Sequence, residues 1–151
     1  MLKLSKLADY ATMLMTAIAV RPDDVHNGQE LAERTHVPAP TVAKLLKTLA
    51  RGGLLESQRG AHGGYRLARS AAKISVADVI GALEGPIAVT ECSQHGSDCG
   101  IESTCATRAN WRLINTAIRH ALEAVSLADM TAPLKRPQEV PVRFMSAVAR
   151  T

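Results

Sequence analysis

One amphipathic stretch, bracketed by prolines and glycines, constrains this chain more than any other feature. Pro38 and Pro40 precede it and Gly52-Gly53 follow it, a punctuation that fits a helix start and a helix stop. Val42, Leu45, Leu46 and Leu49 fall on one helical face, and Thr41, Lys44, Thr48 and Arg51 on the opposite one with Lys47 beside them. Such a helix buries its first face and offers its second to a partner. Upstream, residues 28–34 read as a short helix with Leu31 and Ala32 inward, joined to the first by the tight connection His36-Val37-Pro38. Residues 4–20 place Leu4, Leu7, Ala11, Leu14 and Ile18 at helical spacing, with Ser5 near the N-cap and Arg21-Pro22 ending the run. Downstream, 54–58 and 65–67 flank the loop Arg59-Gly60-Ala61-His62-Gly63-Gly64, which predicts a β-hairpin with a basic, glycine-rich tip. Another short helix is expected over 75–83.

Helix, short helix, turn, helix and hairpin follow the order of a winged helix-turn-helix. The fold class expected is mainly α with a small β-hairpin, extended by a long C-terminal helix. The outward side chains Thr41, Lys44, Lys47, Thr48 and Arg51 suit a major groove. In the hairpin, Arg59 can reach a minor groove or a phosphate, and His62 and Arg66 join it as candidate DNA contacts. Charge placement agrees. Residues 1–80 hold 11 Lys/Arg against 7 Asp/Glu, whereas residues 81–151 hold 7 against 7. Between 38 and 73, seven basic side chains face only Glu56, a footprint suited to a polyanion. Aromatics make up 3% of the chain, which argues against base stacking on single strands or RNA.

No apolar run is long enough to span a bilayer. A signal peptide would set Asp9 and Tyr10 between charge and apolar region, and its cleavage would remove a helix the motif needs. A cytoplasmic protein is expected. Its three cysteines, Cys92, Cys99 and Cys105, crowd a 14-residue window within the irregular stretch 85–105. An odd number so close together is a poor disulfide framework; metal or redox chemistry fits better. An iron–sulfur cluster, a zinc site completed by His95, and a set of redox-active thiols all remain open at this point. A thiol enzyme is disfavoured because His62, His95 and His120 show no pairing with a cysteine. From 107 to 126 the pattern is helical again, with Ile114, Ile118, Ala121 and Val125 on one face and Arg112, Asn115, Arg119 and Glu123 elsewhere. Pro133, Pro137 and Pro141 mark a loose tail.

The start Leu4-Ser5-Lys6-Leu7-Ala8-Asp9-Tyr10-Ala11, the wing Arg59 to Leu67 and the cysteine loop resemble the IscR-type (Rrf-two) family of bacterial iron–sulfur regulators. Leu83-Glu84-Gly85-Pro86-Ile87, Thr90-Glu91-Cys92 and Asn110-Trp111 are similar to its subgroup regulating the SUF cluster-assembly operon. The resemblance implies a DNA-binding domain over 1–84, a cluster loop over 85–106, a dimerisation helix over 107–130 and a flexible tail over 131–151. It further implies a homodimer on a double-stranded, two-fold operator, with half-sites about 34–36 Å apart, repressing cluster-assembly genes, without membrane or small-molecule substrate. The cofactor would be a 2Fe–2S or 4Fe–4S cluster on Cys92, Cys99 and Cys105. Some members add a histidine three residues after the last cysteine, but Arg108 stands there and cannot ligate iron. Other members use an acidic side chain from the partner's first helix, where Asp9 sits. Glu91, His95, Asp98, Glu102 or an exogenous thiol or water are the alternatives for that ligand. A zinc-binding or thiol-sensing regulator on the same scaffold is the rival reading.

Overall fold

Ser5 opens the first helix by accepting a hydrogen bond from the Ala8 N–H at 3.1 Å, which satisfies one of the donors a helix start leaves bare. The structure is a computed structural model that describes residues 3–93, 99–101 and 103–132. Helix α1 (Lys6–Ala19) buries Ala11, Leu14, Met15 and Ile18. Leu4 and Leu7, expected on that inward face, are instead exposed. The helix begins only at Lys6, and its first turn packs through Ala8, which is fully buried with Val76 and Ile80.

Asn27 caps α2 (Gly28–Thr35) by accepting from the Glu30 N–H at 2.8 Å. His36 then takes up the left-handed conformation at φ 57°, and the chain turns sharply into α3 (Ala39–Arg51). All four apolar residues expected to point inward on α3 are buried. Strands β1 (Leu55–Gln58) and β2 (Gly64–Leu67) form the antiparallel hairpin, with Ser57 opposite Tyr65 and Glu56 opposite Arg66. His26 bridges to Tyr65 on the other edge of β2, each N–H donating to the other's carbonyl at 2.8 Å. That bridge ties the wing to the link between α1 and α2. Helix α4 (Val76–Glu84) starts at a capping box in which Ser75 and Asp78 serve each other's backbone N–H groups.

The helix expected over 107–126 is present, but the dimerisation segment drawn over 107–130 holds two helices. Helix α5 (Arg108–Glu123) ends, and a second capping box, Ser126 with Asp129, starts α6 (Leu127–Thr131). Backbone bonds from Val76 N–H to the Val125 carbonyl (2.9 Å) and from Leu127 N–H to the Ile74 carbonyl (2.8 Å) pin this break beside the start of α4. Leu127 is thereby fully buried in the same core as Leu14, Leu46 and Ile74. Helix α6, of which residues 127–130 were grouped by sequence with the dimerisation helix, thus packs on α1 and the turn at Ala71–Lys73. Among the described residues no helix is long and apolar enough to cross a membrane. Nearly all of the tail expected over 131–151 lies outside the described residues.

Candidate nucleic-acid interface and cysteine loop

Burial of Val42, Leu45, Leu46 and Leu49 against α1 and α2 decides which side of α3 meets solvent. Lys44, Lys47 and Arg51 are exposed, and Thr41 and Thr48 are half-buried between the two faces. The Thr48 hydroxyl donates to the Lys44 carbonyl at 3.1 Å, so its donor is spent on the helix while its oxygen remains free to accept. At the tip of the wing Arg59 and His62 are exposed. Gly60 turns the tip with φ 114°, a conformation that side chains with a Cβ rarely adopt. The seven cationic, imidazole or hydroxyl-bearing positions of α3 and the wing tip thus lie on outward or half-buried sites of two adjoining elements.

Arg66 differs. Its Nε and Nη2 both donate to Glu56 Oε2, at 3.1 and 2.9 Å, across the hairpin on the face opposite Ser57 and Tyr65. Sequence reasoning counted its charge and missed this neutralising partner, although two strands paired around a short loop would set Glu56 opposite it.

The loop carrying the thiols is anchored from α5. Asn115, read from the sequence as lying away from the apolar face, is one of two buried polar residues among those described, at 8% exposure. Its carbonyl oxygen accepts from the Val89 N–H (3.0 Å) and its amide donates to the Ile87 carbonyl (3.1 Å). An asparagine in mid-helix, flanked by Ile114 and Ile118, was the signal available. Cys92 lies buried in a turn at Glu91–Ser93. Its sulfur is 3.3 Å from Thr90 Oγ1, and Arg112 Nε donates to its carbonyl at 3.4 Å.

Cys105 sits just before α5, with its sulfur 3.4 Å from Thr107 Oγ1. The Thr107 hydroxyl, then the Thr107 N–H, then the Arg108 backbone N–H and charge hold this thiol below its ordinary range. All three thiols are free. No three His, Cys, Asp or Glu side chains among the described residues stand close enough together to share one metal ion. Asp9 is exposed in the first turn of α1, beside a groove shared with Met13, Arg34, His36 and Met130. His95, Asp98 and Glu102 lie outside the described residues.

The model of the Rrf2 family, described as iron-dependent transcriptional regulators, matches residues 4–133. The chain belongs to the Rrf2 family. The protein rrf2 of Nitratidesulfovibrio vulgaris is 32% identical over 130 residues, covering 85% of this chain and 87% of that one. Among solved structures, CymR, the global cysteine regulator of B. subtilis, superposes with a TM-score of 0.70 at 28% identity, over 87% of this chain and 97% of its own. The IscR of T. potens superposes with a TM-score of 0.67 at 30% identity, over 85% of each chain. As a member of the Rrf2 family the chain is a DNA-binding transcriptional regulator on a winged-helix fold, and not an enzyme.

Proposed function

We propose that this Rrf2 regulator acts as a homodimer that represses iron–sulfur assembly genes and senses through an iron–sulfur cluster on Cys92, Cys99 and Cys105. The observation that carries this reading is the tie between the cysteine loop and the helical frame. Arg112 holds the carbonyl of Cys92, and Asn115 holds the backbone at 87 and 89. Helix α5 packs on α4, and α4 in turn packs on α1 and on α3. A change at the thiols therefore has a short, packed route to the helix that faces DNA.

The donor set is of the right kind, since thiolates hold such clusters and all three thiols are free. When bound, the cluster supplies a redox-active, oxygen-labile group whose loss is the signal. Cys92 is the buried, fixed donor, Cys105 the donor kept toward thiolate by Thr107, and Asp9 of a second copy the candidate fourth ligand. A second reading has its own observation. An accessible Cys105 with a favoured thiolate suits direct sensing of thiol oxidation, and the CymR likeness is in keeping with it.

Anaerobic purification with a visible spectrum and assays for iron, acid-labile sulfide and zinc tests the two together. A brown protein with iron and sulfide is expected, with Asp9→Ala altering its spectrum. A colourless protein that takes up no iron on anaerobic reconstitution would overturn the cluster reading and leave the thiol one.

A further inference from the structure

The two faces of the wing are chemically unequal. Side chains alternate along a strand, so Leu55 and Ser57 of β1 share a face with Leu67 and Tyr65 of β2, while Glu56 and Arg66 share the other. Leu55 and Leu67 are buried in the core. Tyr65 is half-buried against the edge of that core, and Ser57 continues the inner face outward alongside α3. Together with Lys47, Ala50 and Arg51 they line a solvent-open groove of about 410 Å³. Two cations and two hydroxyls line it, and no carboxylate does. The outer face offers the reverse, a cation already satisfied by Glu56 through two hydrogen bonds.

We propose that the groove between α3 and the inner face of the wing seats a phosphodiester of duplex DNA, with Ser57 and Tyr65 as hydroxyl donors beside Lys47 and Arg51, and that Arg66 takes no part in DNA binding. The proposal rests on the reading of α3 as the DNA-facing helix. A helix lying in a major groove has a sugar-phosphate strand along its flank, and this groove is the flank of α3 on the wing side. An anion there meets two positive charges at once, while hydroxyls fix its position without adding charge. The seat is also stiff. Tyr65 is held through its backbone by His26 in both directions at 2.8 Å, so its ring is carried by a strand fixed at both edges.

Binding of the full chain to a labelled random-sequence duplex, measured by anisotropy between about 50 and about 200 mM salt, separates the contributions. Lys47→Ala is expected to make the slope of log affinity against log salt shallower by about 0.9. Tyr65→Phe and Ser57→Ala are each expected to weaken binding roughly three- to tenfold with the slope unchanged, since each removes a hydrogen bond from an uncharged donor. Removing the outer ion pair as a unit (Glu56→Ala with Arg66→Ala) is expected to change neither. Thermal melts of each variant confirm that the fold persists. If both hydroxyl variants bind like the unmodified chain, or if removing the outer pair flattens the slope, the groove is not the phosphate seat. If the unmodified chain shows no salt-dependent binding to duplex, the reading of α3 fails and the groove fails with it.

Discussion

Gly64 shows how much one residue decides at the join between wing and body. A Cβ built there would lie 2.3 Å from the His26 carbonyl oxygen and 2.7 Å from its carbon, backbone atoms that cannot swing aside. The two strands pass this closely because β2 exchanges two hydrogen bonds with His26. Gly64→Ala is expected to destabilise the fold by about 1–3 kcal/mol, the usual cost of overpacking. A drop of several degrees in the melting temperature checks it, and an unchanged melt would show that the bridge is dispensable. The glycines of the wing were legible as a turn signal. That one of them serves a close backbone approach was not, because the residue it touches lies 38 positions away. Arg66 and Asn115 carry the same lesson. A residue's type says what it can do, and its partner decides what it does do: Glu56 occupies the first, and the carbonyl of Ile87 and N–H of Val89 occupy the second.

At the scale of elements, helices whose punctuation is local were readable. Helix α3 runs from the Pro40 start to the Gly52 stop with its apolar face inward, since period, proline and glycine all act within a few residues. The pattern read as helical to 126 stops close to the end of α5, whereas the dimerisation segment carried on to 130 ran past the break into α6. What ends the helix is the box Ser126–Asp129 together with the backbone bonds to Ile74 and Val76, and the second of these is tertiary. Asp129 accepts from the Ser126 hydroxyl and N–H, which holds its carboxyl below the ordinary aspartate range. A depressed pKa means stability present at neutral pH and lost as the group protonates on acidification. Asp129→Asn is therefore expected to lower the melting temperature at pH 7, and the gap to the unmodified chain is expected to close as pH falls through the acid range. A gap that stays constant with pH would show that the charge contributes nothing to the cap.

For the molecule as a whole, the apolar face of α5 is left uncovered among the described residues. Leu113 is 61% exposed, and Ile114 and Trp111 are exposed beside it. Nearby, Leu4, Ile80, Ile87, Val89, Ile118 and Leu122 line an open groove of about 390 Å³. Contiguous exposed apolar surface is what a contact site offers, and stable interfaces take about 800 Å² from each partner. On the homodimer reading, sedimentation of the unmodified chain should return twice the mass of one chain. Leu113→Glu with Ile114→Glu should return a single chain with its helical content intact. A monomer in both cases would sink the dimer reading.

By itself the sequence determined the winged helix-turn-helix order, the buried and outward faces of α3, the basic sign of the half that carries α3 and the wing, and the thiol content of the loop. Each follows from local periodicity, turn chemistry or composition, which need no knowledge of what packs where. Only the tertiary structure decided that Leu127 returns to the core, that Asn115 pins the cysteine loop, that Glu56 claims Arg66, and that Ser57 and Tyr65 face α3. Those are matters of strand register and of contacts between residues far apart in the chain, where the chemistry of one side chain is set by whichever neighbour the fold brings to it.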